Sequence, residues 1–473
     1  MTSWDIRARP STINQRVFQR WGERGLTLGH SSDHERWLLL GSVWLVTLFL
    51  FILFQCVSPL LPVLIVEFHL DHWMGGFLYT LPVLMVALFS YPLGLVSDRV
   101  GLDVALGCGA VLAVLSSLIR AFTTSYPMLG VSTAIFGLGL ATCFINLPRL
   151  VKMNFPLHLT GTATGVYTSA IPLGCGLGIA LTKPLLDATG GWRAVIMTWS
   201  LMAIPVVILW WVVAPRIRRA RGRPDFMTLQ GRPDLEATPQ QLEQNSSRGT
   251  KHCQNRAKEE NDEGQTVVGH TNRIYPPGRL VFLIMICGLL FSLLNFMFYS
   301  TMGWLPTYLI EKGWDAAAAC STTSVISFAE IPAILLTPVL SDRTGRRRLI
   351  MVVGFFLISI CSGSLAFNAA SAWVVTPVLG ATFGGIFALL LAMPVVLVGK
   401  DRVASAAGAI ISIGYVGALA GPIITGYLRD ITTGFGMGFL LVAMTGLVSV
   451  ALSCALPPAP TFTPVKQTTS TVR

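Results

Sequence analysis

The 473-residue chain is 53% hydrophobic and only 12% charged, with a mean hydropathy of +0.64 and a formal net charge of +11. A soluble protein of that length needs a polar skin that so few charges cannot supply, so a water-soluble fold is excluded and a polytopic membrane protein is implied. Nine cysteines form no CxxC and no extramembrane pair, which excludes a disulfide framework and a structural zinc site.

Residues 1–36 are polar and basic and read as an N-terminal tail; no cleavable signal segment is visible, so the first span doubles as the insertion signal. Six apolar runs follow at 37–62, 74–96, 103–121, 127–150, 161–186 and 192–214. Each approaches the ~20 residues that carry a helix across the hydrocarbon. Residues 215–279, rich in Arg, Gln, Asn, Glu and Pro, read as a flexible linker. Six more runs lie at 280–303, 317–340, 349–368, 372–398, 404–427 and 435–456, before a tail at 457–473. The runs are continuously apolar rather than alternating, so helices and not barrel strands are predicted.

Lysine and arginine fix the expected orientation. With both termini inside, 29 of the 34 basic residues fall on the cytoplasmic side. The outer side receives only Arg120, Lys183, Arg193, Lys312 and Arg429. The net charge is therefore a topological signal and implies no nucleic-acid partner. Trp73, Trp192, Trp304, Trp314 and Trp373 fall at the predicted outer helix ends, as an aromatic belt would place them.

The two sets of six spans match each other. At an offset of 244, Leu61–Pro62 falls on Leu305–Pro306, Glu67 on Glu311 and Asp71 on Asp315. Asp98, Arg99 and Gly101 fall on Asp342, Arg343 and Gly345 at the same offset. At 243, Gly165, Gly174, Gly178 and Asp187 fall on Gly408, Gly417, Gly421 and Asp430. An ordered series of this kind reads as a duplication. Six spans return the chain to its starting side, so the repeat is parallel, about an axis along the membrane normal.

The pentapeptides SDRVG (97–101) and SDRTG (341–345), each after the second span of its half, resemble the G-x-x-x-D-R-x-G-R-R/K loop signature of the major facilitator superfamily. Gly94, Asp98, Arg99 and Gly101 carry the first copy; Asp342, Arg343, Gly345 and Arg346 carry the second. The resemblance implies an all-α integral membrane fold of twelve transmembrane helices in two six-helix bundles. It also implies that these loops latch the halves while the cytoplasmic side is closed. Leu102 and Asp103 depart from the basic residues of the signature, and Pro338 replaces the first glycine of the second copy. Thr133 stands where the family's fourth-span signature has Arg, so coupling schemes through that Arg do not carry over. The Gly-Pro pair of the antiporter signature is absent from the fifth span and appears in the eleventh as Gly421–Pro422. The segments FINLPRLVKMNFP (144–156), TGVYTSA (164–170) and GGWR (190–193) are similar to the cyanate-permease-like branch, which takes up small anions and other small organic solutes.

In such an architecture the solute site lies near the midplane, between the halves. Polar residues within spans are costly and so are candidates for it. Gln55 and Tyr299 occupy equivalent positions, and Asn295 precedes Tyr299 by one turn. Asn146 and Arg149 lie in the inner half of the fourth span, with Lys152 beyond. Glu330 is the one acidic side chain deep within a span, and could either pair with a fourth-span cation or accept a proton during transport. Arg120 and Lys183 are expected to snorkel to water.

The expected function is secondary active transport by alternating access: proton-coupled uptake of a small anionic solute by a monomer in the cell membrane. Arg149 or Lys152 would draw the anion, Gln55, Asn146, Asn295 and Tyr299 would orient it, and Glu330 would carry the proton. Efflux is the alternative within transport, and a non-transporting receptor is the alternative outside it. No nucleophile–base constellation or metal-ligand cluster suggests an enzyme or a cofactor.

Overall fold

The protein is described by a computed structural model covering residues 33–220, 276–397, 403–432 and 434–456. Trp37–Ala214 and the described residues from 276 onward form one compact unit. Most of the predicted N-terminal tail and of the predicted linker, the C-terminal tail, Lys400, Arg402 and Cys253 lie outside the described residues; residues 33–36 of the predicted tail are the first of α1.

Among the described residues thirteen α-helices make twelve spans. The first half comprises α1 (Asp33–Gln55), α2 (Val57–Phe68), α3 (His72–Val100), α4 (Leu102–Ala121), α5 (Tyr126–Asn154), α6 (Leu157–Thr189) and α7 (Trp192–Ala220). The second comprises α8 (Pro277–Glu311), α9 (Ala316–Thr344), α10 (Arg347–Phe367), α11 (Ala372–Leu397), α12 (Val403–Thr432) and α13 (Gly436–Cys454). Helix α7 runs past the expected start of the linker, and α8 takes in the last three residues of its expected span, 277–279.

The first span is broken at Cys56 into α1 and α2. Pro59 lies four residues beyond Gln55 and has no N–H to offer the Gln55 carbonyl, so the ladder fails there. Elsewhere serine and threonine hydroxyls bond back to carbonyls three or four residues earlier, as Thr182 does to Gly178 and Ser359 to Phe355. That satisfies hydroxyls which have no water to turn to in hydrocarbon.

Each signature loop is a tight reversal. Gly101 alone separates α3 from α4 and holds φ at +98°; Gly345 holds +63° between α9 and α10. A β-carbon is disfavoured at such angles, which accounts for glycine in both copies.

The halves meet through α3 with α12 and α6 with α9, and through α2 with α8. Under the repeat α3 corresponds to α9 and α12 to α6, so the two larger contacts are the same contact made twice. That is the signature of a two-fold relation. On the face away from the signature loops the approach is backbone to backbone: a β-carbon on Gly76 would strike the Pro422 carbonyl, and one on Gly426 would lie 2.6 Å from the His72 carbonyl oxygen. Toward the loop face the approach loosens. Gly165 finds Leu335 only at 3.7 Å and Gly408 has no such neighbour. Leu88, Phe89, Tyr91, Leu95 and Val96 of α3 are exposed around the helix. The structure is closed on the opposite face and open on the loop face.

Three expectations need correction. Arg120 does not snorkel: it is 2% exposed, with its guanidinium 4.9 Å from the centre of the Phe136 ring. Trp304 is buried and donates from Nε1 to the Pro422 carbonyl at 2.9 Å, so it packs the junction of the halves instead of a lipid interface. Trp192 is likewise buried and donates to Glu67.

Candidate substrate site between the two halves

The break after Gln55 places that side chain where the halves face each other. Gln55 Oε1 accepts from the Tyr79 hydroxyl of α3 at 3.1 Å, while its buried Nε2 has no partner. Phe54 stacks on Tyr79 with ring centres 5.5 Å apart. Both rings reach Tyr299 of α8 at 6.4 Å, and Phe298 stands edge-on to Tyr299 at 5.3 Å. Gln55 and its repeat counterpart Tyr299 thus belong to one aromatic cluster that spans the junction.

Glu330 of α9 lies within electrostatic range of this cluster. Its backbone lies against α11, where a β-carbon on Gly384 would be 2.9 Å from the Glu330 carbonyl oxygen. The side chain is buried, and its carboxylate acts electrostatically on Cys175 of α6 and on Tyr299. Among the described residues no basic side chain pairs with Glu330. The expected rival, an ion pair with a fourth-span cation, is not formed, because Arg149 of α5 is bound to Asp98. Glu330 has Val86 as its counterpart at the repeat offset, so the carboxylate belongs to one half alone.

The other candidates sit apart. Asn295 is buried on α8 and donates to the Gly414 carbonyl of α12 at 3.3 Å. Asn146 is buried between α3 and α5, where Nδ2 donates to Ser97 Oγ at 2.9 Å and to the Thr142 carbonyl at 2.8 Å; its Oδ1 has no partner. Arg149 and Lys152 lie at the loop-face end of α5, Lys152 exposed. In the signature loops Asp98 binds Arg149 and Asp342 binds Arg347 Nη2 at 3.1 Å, each within its own half. Arg99, Arg343 and Arg346 are exposed, and Gly94 has Ile145 at 3.9 Å from a β-carbon position.

Sequence reasoning did not place Phe54 or Phe298 in the site. Their spacing along apolar helices carries no signal of which neighbour they face. The broken first span was the available clue, since Pro59 and Pro62 mark where backbone and side chains turn into the junction.

The chain matches the Major Facilitator Superfamily profile over residues 43–422 and again over 321–471. An uncharacterized transporter of Bacillus subtilis, YycB, is 27% identical over 419 residues, covering 85% of this chain and 90% of that protein. The 2-nitroimidazole transporter of Escherichia coli is 25% identical over 88% of this chain and 94% of its own, and the cyanate transport protein CynX of the same organism 22% over 85% and 93%. Among solved structures, a bacterial homologue of the human lysosomal transporter Spinster, in an inward-facing and occupied conformation, superposes with a TM-score of 0.69 at 13% identity, covering 90% of this chain and 97% of that one. Twelve spans, a doubled signature loop, a two-fold junction and a match along most of its length place this chain in the major facilitator superfamily of membrane transporters.

Proposed function

We propose that this transporter couples proton movement to uptake of a small organic anion across the cell membrane, with the loop face and both termini cytoplasmic. The observation that carries the reading is Glu330: a buried carboxylate on α9 within electrostatic range of Tyr299, with no basic partner among the described residues. An anion placed about 5 Å from an ionised Glu330 would be repelled by about 3 kcal/mol at an effective dielectric of about 20, a penalty of more than a hundredfold in affinity. Protonation removes that penalty. Solute and proton therefore favour each other's binding, and the linkage is reciprocal. Gln55 Nε2 and the Tyr79 and Tyr299 hydroxyls supply hydrogen bonds, and the rings of Phe54 and Phe298 cover apolar surface of the solute.

Arg149 and Lys152 act at the mouth of the open face, where exposed positive charge raises the local concentration of anions. The signature loops serve as the latch of the loop face: Asp98 and Asp342, held by Arg149 and Arg347 while that face is open, become available to the opposite half when it closes. The relatives named for 2-nitroimidazole and cyanate support small solutes over drugs or peptides.

The test is accumulation in proteoliposomes under an imposed pH gradient, with a panel of small carboxylates, inorganic anions and neutral heterocycles. The wild type should concentrate one class of anion. Glu330→Gln should lose accumulation while retaining counterflow exchange. Undiminished accumulation by that variant removes Glu330 from the coupling, gradient-driven expulsion points to efflux, and saturable binding without flux points to a receptor.

A further inference from the structure

Among the described residues two charged side chains are buried, one in each half: Glu330 on α9 and Arg120 on α4. Neither is repeated. Glu330 falls on Val86, and Arg120 falls on Gly363 or Ser364 at the offsets of 243 and 244. Each half therefore holds one buried charge, and the two are of opposite sign.

The direction of α4 explains why Arg120 does not reach water. The helix runs from the loop face to the closed face and ends at Ala121. Side chains lean toward the amino end of their helix, so an arginine in this last turn leans back into the hydrocarbon. Its guanidinium lies against Phe136, which stands about 15 Å from the closed-face end of α5 at Tyr126, at 1.5 Å per residue. Arg120 is also within electrostatic range of Cys56, at the break between α1 and α2. By the same measure that break is about 18 Å from the closed-face end of α2 at Phe68. The charge thus stands level with Gln55, the residue before the break, on the other side of the first span.

No acid answers it. Nε and Nη2 of Arg120 are buried without a partner, and the side chain forms no ion pair among the described residues. The acids near the closed-face ends of the first-half helices are engaged elsewhere: Glu67 by Arg193, Asp71 by the Trp73 indole and Asp187 by Lys183. The face of Phe136 offsets only part of the cost of dehydrating a guanidinium. A cation held unpaired at this depth is placed to act on a ligand.

We propose that Arg120 is the fixed positive charge that makes the junction cluster select anions. It acts through space and not by contact, since the width of a helix, about 10 Å, separates the guanidinium from the Gln55 side chain. At an effective dielectric of about 20, a unit charge at that distance strengthens the binding of an anion by on the order of tenfold and weakens that of a cation as much. The two buried charges also balance in both forms of the site. With the cluster empty and Glu330 ionised, Arg120 and Glu330 sum to zero. With a monoanion bound and Glu330 protonated, the solute replaces Glu330 as the counter-charge of Arg120.

The assignment rests on the cluster being the solute site, and its test reads the field there without any solute. The full chain in lipid nanodiscs carries Gln55→Cys and Glu330→Gln, which leaves Arg120 as the one buried charge among the described residues. It is treated with three methanethiosulfonates: one neutral, one bearing a sulfonate and one a trimethylammonium. Mass spectrometry reads each rate at residue 55, apart from the native thiols. Salt at about 0.5 M screens the exposed charges while leaving the buried one effective. The sulfonate-to-trimethylammonium rate ratio, divided by that of a free thiol, cancels the reactivity of the thiol itself. It should be on the order of a hundredfold with Arg120 present, the product of two tenfold effects of opposite sign. It should fall toward one in Arg120→Gln and recover in Arg120→Lys. A purely structural role would shift all three rates together and leave the ratio near one. A ratio near one with Arg120 present, or one unmoved by Arg120→Gln, overturns the assignment; the first decides alone if Arg120→Gln does not express. Failure of even the neutral reagent to reach residue 55 overturns the solute site itself, and the assignment with it.

Discussion

Ser58 donates its hydroxyl to the carbonyl of Met302 at 2.7 Å, and Met302 is Ser58's own counterpart in the repeat, 244 positions later. Two equivalent positions can touch only where the symmetry axis passes between them. The pseudo-two-fold axis therefore runs through this bond, just beneath the closed face. Gln55 and Tyr299, one turn deeper, flank the same axis, and that is why a site shared by both halves forms there.

Gly76 lets α3 lie on the Pro422 carbonyl of α12. Gly76→Val should wedge the closed face open at a cost of about 1–3 kcal/mol, the usual range for overpacking. Flux should fall by at least about fivefold by that estimate, with amide exchange over residues 72–79 rising. Wild-type flux and protection would show that the face does not need to close this tightly.

Gln55 keeps one donor unpaired beside the aromatic cluster. Gln55→Ala should raise the half-saturation constant for the solute about five- to thirtyfold, the equivalent of roughly 1–2 kcal/mol. Equilibrium binding of the radiolabelled solute checks this. An unchanged constant would take Gln55 out of the site.

Asp98 and Arg149 are each about half exposed, at 51% and 44% of the side chain. A pair so placed adds roughly 0–1 kcal/mol to stability. Asp98→Asn should therefore leave the thermal midpoint nearly unchanged while slowing turnover several-fold, and Asp342→Asn should do the same through Arg347. A large loss of thermal stability with normal turnover would make these pairs scaffold and not latch.

Gly417 is the tightest approach within the second half, facing the Ser292 carbonyl of α8. Gly417→Leu should cost more than about 3 kcal/mol, because backbone and not a flexible side chain is in the way. A thermal unfolding scan in detergent reads it directly. A midpoint close to that of the wild type would contradict so close a contact.

Much of this arrangement was legible in the sequence. Hydropathy reports depth along the membrane normal, because every backbone group in hydrocarbon must be satisfied within its own helix. That is enough to locate the twelve spans, and the offset that pairs Asp98 with Asp342 reveals the duplication. Rotation about a helix axis is not legible in the same way. Arg120, Trp304 and Trp192 were placed at the right depth and on the wrong side of their helices. Arg149 was placed correctly along α5, yet its partner Asp98 could not be read from a chain separation of 51 residues. His72 and Asp430 stand 358 positions apart, and only the packing of α3 on α12 brings them together. The site divides the same way: the equivalence of Gln55 and Tyr299 was visible as a repeat, whereas the approach of Glu330 to Tyr299 required the helices to be assembled.

The central claim is that the two bundles part and close at the contact between Ser58 and Met302, exposing the cluster of Gln55, Tyr299 and Glu330 to one side at a time. The direct measurement is flux through the Ser58→Cys, Met302→Cys double variant before and after oxidation. Cross-linking should abolish flux, and reduction should restore it, since a face held shut cannot complete the cycle. Undiminished flux through a fully cross-linked protein would contradict alternating access by opening of this contact.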